Sequence, residues 1–190
     1  MFNGRLGRMV LIGLVGWFLC FACTAGNAAE RYVIVPQKSQ LQFKAYTLLA
    51  RPLGKFTAFS GEILADAQQL GASSVRLVVD TRSIDTDNTS RDKHLRSADF
   101  FFVEHYPTMT FTSTAITGNP PSYTVQGDLT IRGVTKRITM PVTIEQRPEA
   151  LLVQGNVALN RQDFGLTYNA FFNPLQDTVD VLFRIVGVRQ

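Results

Sequence analysis

Residues 122–144 read SYTVQGDLTIRGVTKRITMPVTI. Tyr123, Val125, Gly127, Leu129 and Ile131 share one parity, and Thr124, Gln126, Asp128, Thr130 and Arg132 share the other. Past Arg132-Gly133 the alternation resumes, with Ile138, Met140, Val142 and Ile144 against Arg137, Thr139, Thr143 and Glu145. Successive side chains of a strand point to opposite faces, so period two over such lengths describes strands with one apolar face and one wetted face. The Arg-Gly pair between the two runs is turn chemistry. Threonine fills much of the polar parity, as suits a pleated surface open to water.

The same pattern extends in both directions. Val75, Leu77 and Val79 oppose Arg76 and Asp80; Met109 and Phe111 oppose a row of threonines; Val179, Val181, Phe183 and Ile185 oppose Thr178, Asp180 and Arg184. Strands are expected near 31–35, 40–48, 54–64, 74–80, 108–117, 122–132, 134–146, 151–160 and 178–188. Gly118-Asn119-Pro120-Pro121, Arg147-Pro148-Glu149 and Asn173-Pro174 punctuate them. No repeat, linker or low-complexity tract divides the 190 residues, which suit one domain at roughly 150 residues per domain. A sequential antiparallel series must close or leave sticky edges, so the fold class is all-β, as an up-and-down barrel or a two-sheet sandwich.

Two segments depart from period two. Arg5 and Arg8, an apolar run from Val10 to Phe21 and small residues from Ala22 to Ala29 describe a secretory signal peptide, 1–29, ahead of a domain at 30–190. The apolar core is shorter than the ~20 residues of a spanning helix. Removal of the segment takes away Cys20, Cys23 and Trp17, and lowers the net charge from +4 to +2. The second departure is Thr89-Ser90-Arg91-Asp92, spaced like a capping box, which predicts one short helical excursion near 90–98. Phe100-Phe101-Phe102 follows it, too apolar a run to stand in water, and it plugs a barrel end or meets another subunit.

Catalytic equipment is sparse. There is no G-x-S-x-G elbow, P-loop or dinucleotide fingerprint, and the chain beyond residue 29 lacks cysteine. His94 and His105 lie near Asp85, Asp87, Asp92, Asp99 and Glu104 at no standard ligand spacing, so no metal is expected. The basic residues form no concentrated face for nucleic acid. The abundant resource is apolar and aromatic: Phe43, Phe59, Leu77, Phe111, Leu129, Met140, Val142 and Phe183 on inward faces, with Phe164 and Tyr168 before the last strand. A packed core and the wall of a ligand cavity both require that inward face, and alternation does not separate them.

Several blocks together resemble the exported YceI-like family of lipid-binding barrels. They are Gly54-Lys55-Phe56 to Phe59-Ser60-Gly61; Ser83-Ile84-Asp85-Thr86-Asp87-Asn88; Arg91-Asp92-Lys93-His94-Leu95; Ser97-Ala98-Asp99-Phe100-Phe101; Tyr106-Pro107-Thr108-Met109-Thr110-Phe111; Gly127 to Lys136; and Asn160-Arg161-Gln162-Asp163-Phe164-Gly165. The resemblance implies a single eight-stranded antiparallel up-and-down barrel, an extended relative of the lipocalins, whose interior takes a polyisoprenoid chain. It also implies a periplasmic location, and admits a homodimer. Val35-Pro36-Gln37-Lys38 before Ser39, and Tyr46, stand where the family often carries an acidic residue and histidines. On this reading the protein is a carrier of an isoprenoid or quinone-type lipid, without catalysis, cofactor or stable membrane insertion. The ten apolar residues named above line its cavity, and Arg91, Asp92 and Arg161 form a polar mouth. The alternatives are a structural stress protein with a packed interior, or a lipid-modifying enzyme.

Overall fold

The computed structural model describes residues 29–190, so the signal-peptide expectation lies outside the described residues. Eleven strand segments form one sheet: β1 (Glu30–Ile34), β2 (Gln40–Lys44), β3 (Leu53–Phe56), β4 (Phe59–Ala65), β5 (Ser74–Asp80), β6 (Ile84–Asp85), β7 (Thr108–Asn119), β8 (Ser122–Ile131), β9 (Val134–Arg147), β10 (Ala150–Asn160) and β11 (Thr178–Arg189). One helix, α1 (Thr89–Arg96), separates β6 from β7.

The sheet closes on itself. Its order runs β1-β4-β5-β7-β8-β9-β10-β11, and β11 returns to β1 through Tyr32↔Arg189 and Ile34↔Gly187. The remaining segments continue three of these strands: β2 extends β1 along β11, β3 extends β4 along β2, and β6 extends β5 along β3. Eleven segments therefore occupy eight strand positions, all antiparallel, in an up-and-down barrel. Closure is the physical remedy for the edges that a long meander would expose.

The expected 54–64 is broken at Thr57-Ala58, and Ile84–Asp85 is a strand segment absent from the sequence expectation. The other two breaks are single 3-10 turns at Pro36–Lys38 and Thr81–Ser83. Pro36 has no N–H to give to a ladder, and Asp80 caps the second turn by accepting from the Arg82 N–H. All three breaks fall in neighbouring strand positions.

Turns β2–β3, β6–α1–β7, β8–β9 and β10–β11 gather at one end of the barrel, called here the helical end. At the β8–β9 hairpin Arg132 and Gly133 both have positive φ, 50° and 75°, the two-residue turn whose twist matches its strands. α1 begins one residue earlier than the capping-box reading places it. Asn88 is the cap, its side chain accepting from the Arg91 N–H at 2.9 Å, and this leaves Asp92 free for another task. Two apolar clusters fill much of the interior, one around Tyr32, Phe56, Ile84 and Phe164, the other around Ile116, Val125 and Val142.

Candidate functional site

Between these clusters lies a cavity of about 240 Å³, roughly twenty times the space that holds one water. Its accessible wall is wholly apolar. It runs from the helical end, under Leu95, Phe100, Phe101, Phe164 and Leu166, down to Val125, Val142 and Val153. Ile116 and Leu151, buried farther along, are not part of the wall.

Three phenylalanines make the hollow possible by lying against glycines. A Cβ on Gly54 would sit 2.3 Å from the Phe43 ring, one on Gly127 2.4 Å from the Phe111 ring, and one on Gly155 2.7 Å from the Phe183 ring. Phe43–Gly54 and Phe183–Gly155 are direct cross-strand partners, while Phe111 faces Leu129 and reaches Gly127 diagonally. A glycine in a strand marks a place where another group must approach the backbone closely. Here the approaching groups are rings, and all three belong to the cavity wall.

The sequence expectations separate into two groups. Phe43, Leu77, Phe111, Leu129, Met140, Val142, Phe164 and Phe183 stand in the cavity wall. Phe59 and Tyr168 do not. Phe59 is buried in the core opposite Val79, and it is Val79 that reaches the lumen. Tyr168 is half exposed on the outside of the helical end, its ring 4.7 Å from His94 and 5.1 Å from Phe100. Phe100 and Phe101, from the aromatic triplet expected to plug a barrel end or meet another subunit, lie in the wall at this end together with Phe164. Their carrier is the chain after α1, whose irregular path gives no period to read.

The polar mouth also resolves differently. The Asp92 carboxylate accepts from the Thr86 N–H at 3.0 Å and the Thr86 hydroxyl at 2.6 Å. Arg91 Nε donates to Thr86 Oγ1 and its Nη2 to the Thr86 carbonyl. Both residues therefore fasten α1 to β6 rather than rim the cavity. Arg161 does reach the wall, but every donor is engaged. Its guanidinium donates to the carbonyls of Leu166, Tyr168, Leu175 and Gln176 and to Asp177 Oδ1 at 3.1 Å, with the side chain 3% exposed. It is a clamp that folds residues 161–177 over the barrel end. The ion pair is with Asp177. Arg132, read in the sequence only as a turn residue, also ties down this end by donating to the Phe100 carbonyl at 2.6 Å.

At the edge of this end Tyr46 donates to Asp180 Oδ2, and that carboxylate raises the phenol's pKa above its usual value. Lys44 and Arg51 lie 5.5 and 5.9 Å from its ring centre. Among the described residues no group of three His, Cys, Asp or Glu is placed to hold a metal ion, and no helix is long and apolar enough to cross a membrane. The accessible surface of the lumen is apolar, and such a surface can enclose a hydrocarbon.

Comparisons with known proteins agree with this architecture. The signature of the YceI-like domain matches residues 32–187. A UPF0312 protein of Yersinia enterocolitica is 33% identical, with 94% of this chain and 96% of that protein covered. Protein YceI of Escherichia coli is 31% identical, with 95% and 97% covered. Among solved structures, Burkholderia cenocepacia BcnA superposes with a TM-score of 0.76 at 25% identity, covering 80% of this chain and 98% of that one. A polyisoprenoid binding domain from Saccharophagus degradans shares the fold with a TM-score of 0.69 at 18% identity, covering 85% and 99%.

Proposed function

The chain belongs to the YceI-like domain family, and from that premise we propose that it is an exported, periplasmic carrier which sequesters a polyisoprenoid or isoprenoid-quinone-type lipid in its barrel. The observation that carries the reading is the continuous apolar cavity beneath Phe100, Phe101 and Phe164. A long isoprenoid exposes apolar surface to water, and a hollow barrel removes that surface without cofactor or catalysis. At ~0.3 kcal/mol per enclosed non-hydrogen atom, affinity grows with the length of chain that the cavity takes in.

The rival expectation of a packed interior fares worse on energy. Unfilled space in a core forgoes ~24 cal/mol per Å³, so a lumen of 240 Å³ left empty forgoes about 6 kcal/mol of packing. A protein whose task was only structural has no reason to carry that deficit, whereas a ligand that fills the lumen recovers it. The fold shared with a solved polyisoprenoid binding domain supports the class of ligand. Phe43, Leu77, Phe111, Leu129, Met140, Val142, Phe164 and Phe183 are the ligand's proposed contacts.

Organic extraction of the purified protein followed by mass spectrometry tests the proposal directly. A polyprenyl or quinone species at near one per chain is expected, and a fluorescent polyprenyl probe should enter the delipidated protein. Absence of both would overturn the carrier reading.

A further inference from the structure

Four large apolar side chains stand in solvent at the helical end: Leu48 and Leu49 in the β2–β3 turn, exposed by 72% and 79%, and Phe171 and Phe172 in the β10–β11 segment, exposed by 92% and 88%. The two segments are joined. Thr47 and Leu175 form an isolated β-bridge, the Gln176 N–H donates to the Tyr46 carbonyl at 2.8 Å, and the Leu49 N–H donates to Asn173 Oδ1. The Phe171 and Phe172 rings stack edge to face, 5.1 Å apart. The result is one knob with four apolar tips.

Its charge is one-sided. Neither Ala45–Pro52 nor Leu166–Gln176 contains an acidic residue, and Arg51 lies within the first, with Lys44 at its root. Neither cation makes an ion pair among the described residues; both sit against the Tyr46 ring. The one carboxylate at that ring, Asp180, accepts from the Tyr46 hydroxyl. The knob is also continuous with the cavity, because Ala45 and Leu175, at the bases of the two segments, belong to the cavity wall.

We propose that Leu48, Leu49, Phe171 and Phe172 dock the helical end reversibly onto an anionic phospholipid surface, with Lys44 and Arg51 against its headgroups. Apolar tips that enter the acyl boundary, with cations at their base and no acidic residue within either segment, are the elements of interfacial binding, and four side chains give a reversible attachment rather than an anchor. The docking rests on the carrier reading for its purpose: it sets the lumen's loop end against the phase in which a long isoprenoid is dissolved. It does not rest on that reading for its chemistry.

The ring of strands closes within residues 30–189, so the chain from Ala29 onward is the material for the test. Flotation with vesicles of phosphatidylcholine and phosphatidylglycerol in equal parts should carry the protein upward, and vesicles of phosphatidylcholine alone should carry less. The double variant Leu49→Asp/Phe171→Asp should lower the bound fraction about tenfold while the melting temperature is kept, since neither side chain is buried. Arg51→Glu should abolish the preference for phosphatidylglycerol. Failure of the parent chain to float overturns the proposal, even when extraction finds lipid in the barrel. Flotation with no lipid found in the barrel leaves the docking standing and the carrier reading overturned. Equilibrium sedimentation covers the remaining occupant: a dimer that the double variant dissolves, without flotation of either, assigns the knob to a second copy and overturns membrane docking.

Discussion

Arg161 brings a full charge to the end of an apolar barrel, and the four carbonyls and one carboxylate around it explain why the chain tolerates this. Arg161→Met should cost about 3 kcal/mol in urea denaturation, because the carbonyls are left without donors, and Arg161→Lys should recover only part of it. The glycine–phenylalanine pairs act the other way, by making room. All three atoms nearest a Cβ on Gly54 are side-chain atoms, from Phe43 and Thr86, so Gly54→Ala must push the Phe43 ring toward the lumen. A loss of about 1–3 kcal/mol by urea denaturation and weaker probe uptake are expected, with Phe43→Leu restoring the stability of Gly54→Ala. At this scale the sequence was only half legible. Phe43, Phe111 and Phe183 are marked as inward by parity, but the glycine facing each ring depends on cross-strand register. The partners of Arg161 lie up to sixteen residues away along a segment without periodicity.

The long strands follow their pattern closely. In β8 and β9 the inward residues Val125, Ile131, Met140 and Val142 are buried while Thr124, Thr139 and Thr143 are exposed, as the parity requires. What parity could not show is continuity. The break at Thr57-Ala58 has no glycine or proline to announce it, and Ile84–Asp85 is too short to show alternation at all. The helix was legible from its cap chemistry, though the cap is Asn88 rather than Thr89. Asn88→Ala should therefore lower stability by about 1 kcal/mol in urea denaturation. It should also loosen the Phe100-Phe101 cover, read as faster hydrogen exchange at the amides of Phe100 and Phe101, which bond to carbonyls at the helix end.

For the molecule as a whole the hollow is the decisive property. Leu77→Trp places a large ring in the lumen, and in the chain from Ala29 it is the sole tryptophan, since the native one is Trp17. It should abolish polyprenyl uptake with the melting temperature kept or raised, which calorimetry and probe titration measure together. Acid should weaken the barrel through its outer surface. A backbone hydrogen bond from Asp87 and then Lys55 hold the Asp85 carboxyl below its usual pKa, and Arg137 does so for Asp128. Carboxyls with lowered folded-state pKa stabilise the fold above their unfolded value and lose that contribution as pH falls through the folded one. The melting temperature should thus fall below about pH 4, and Asp128→Asn should blunt part of the fall. Alternation of apolar and threonine-rich positions by itself determined an all-β chain with an inward apolar face, because side-chain direction along a strand is a local property of the backbone. Whether that face meets itself across the axis or encloses empty space was decided only by the tertiary structure. Lumen width depends on strand number, closure and the rings lying against glycines of neighbouring strands, and these are relations between residues far apart in the chain.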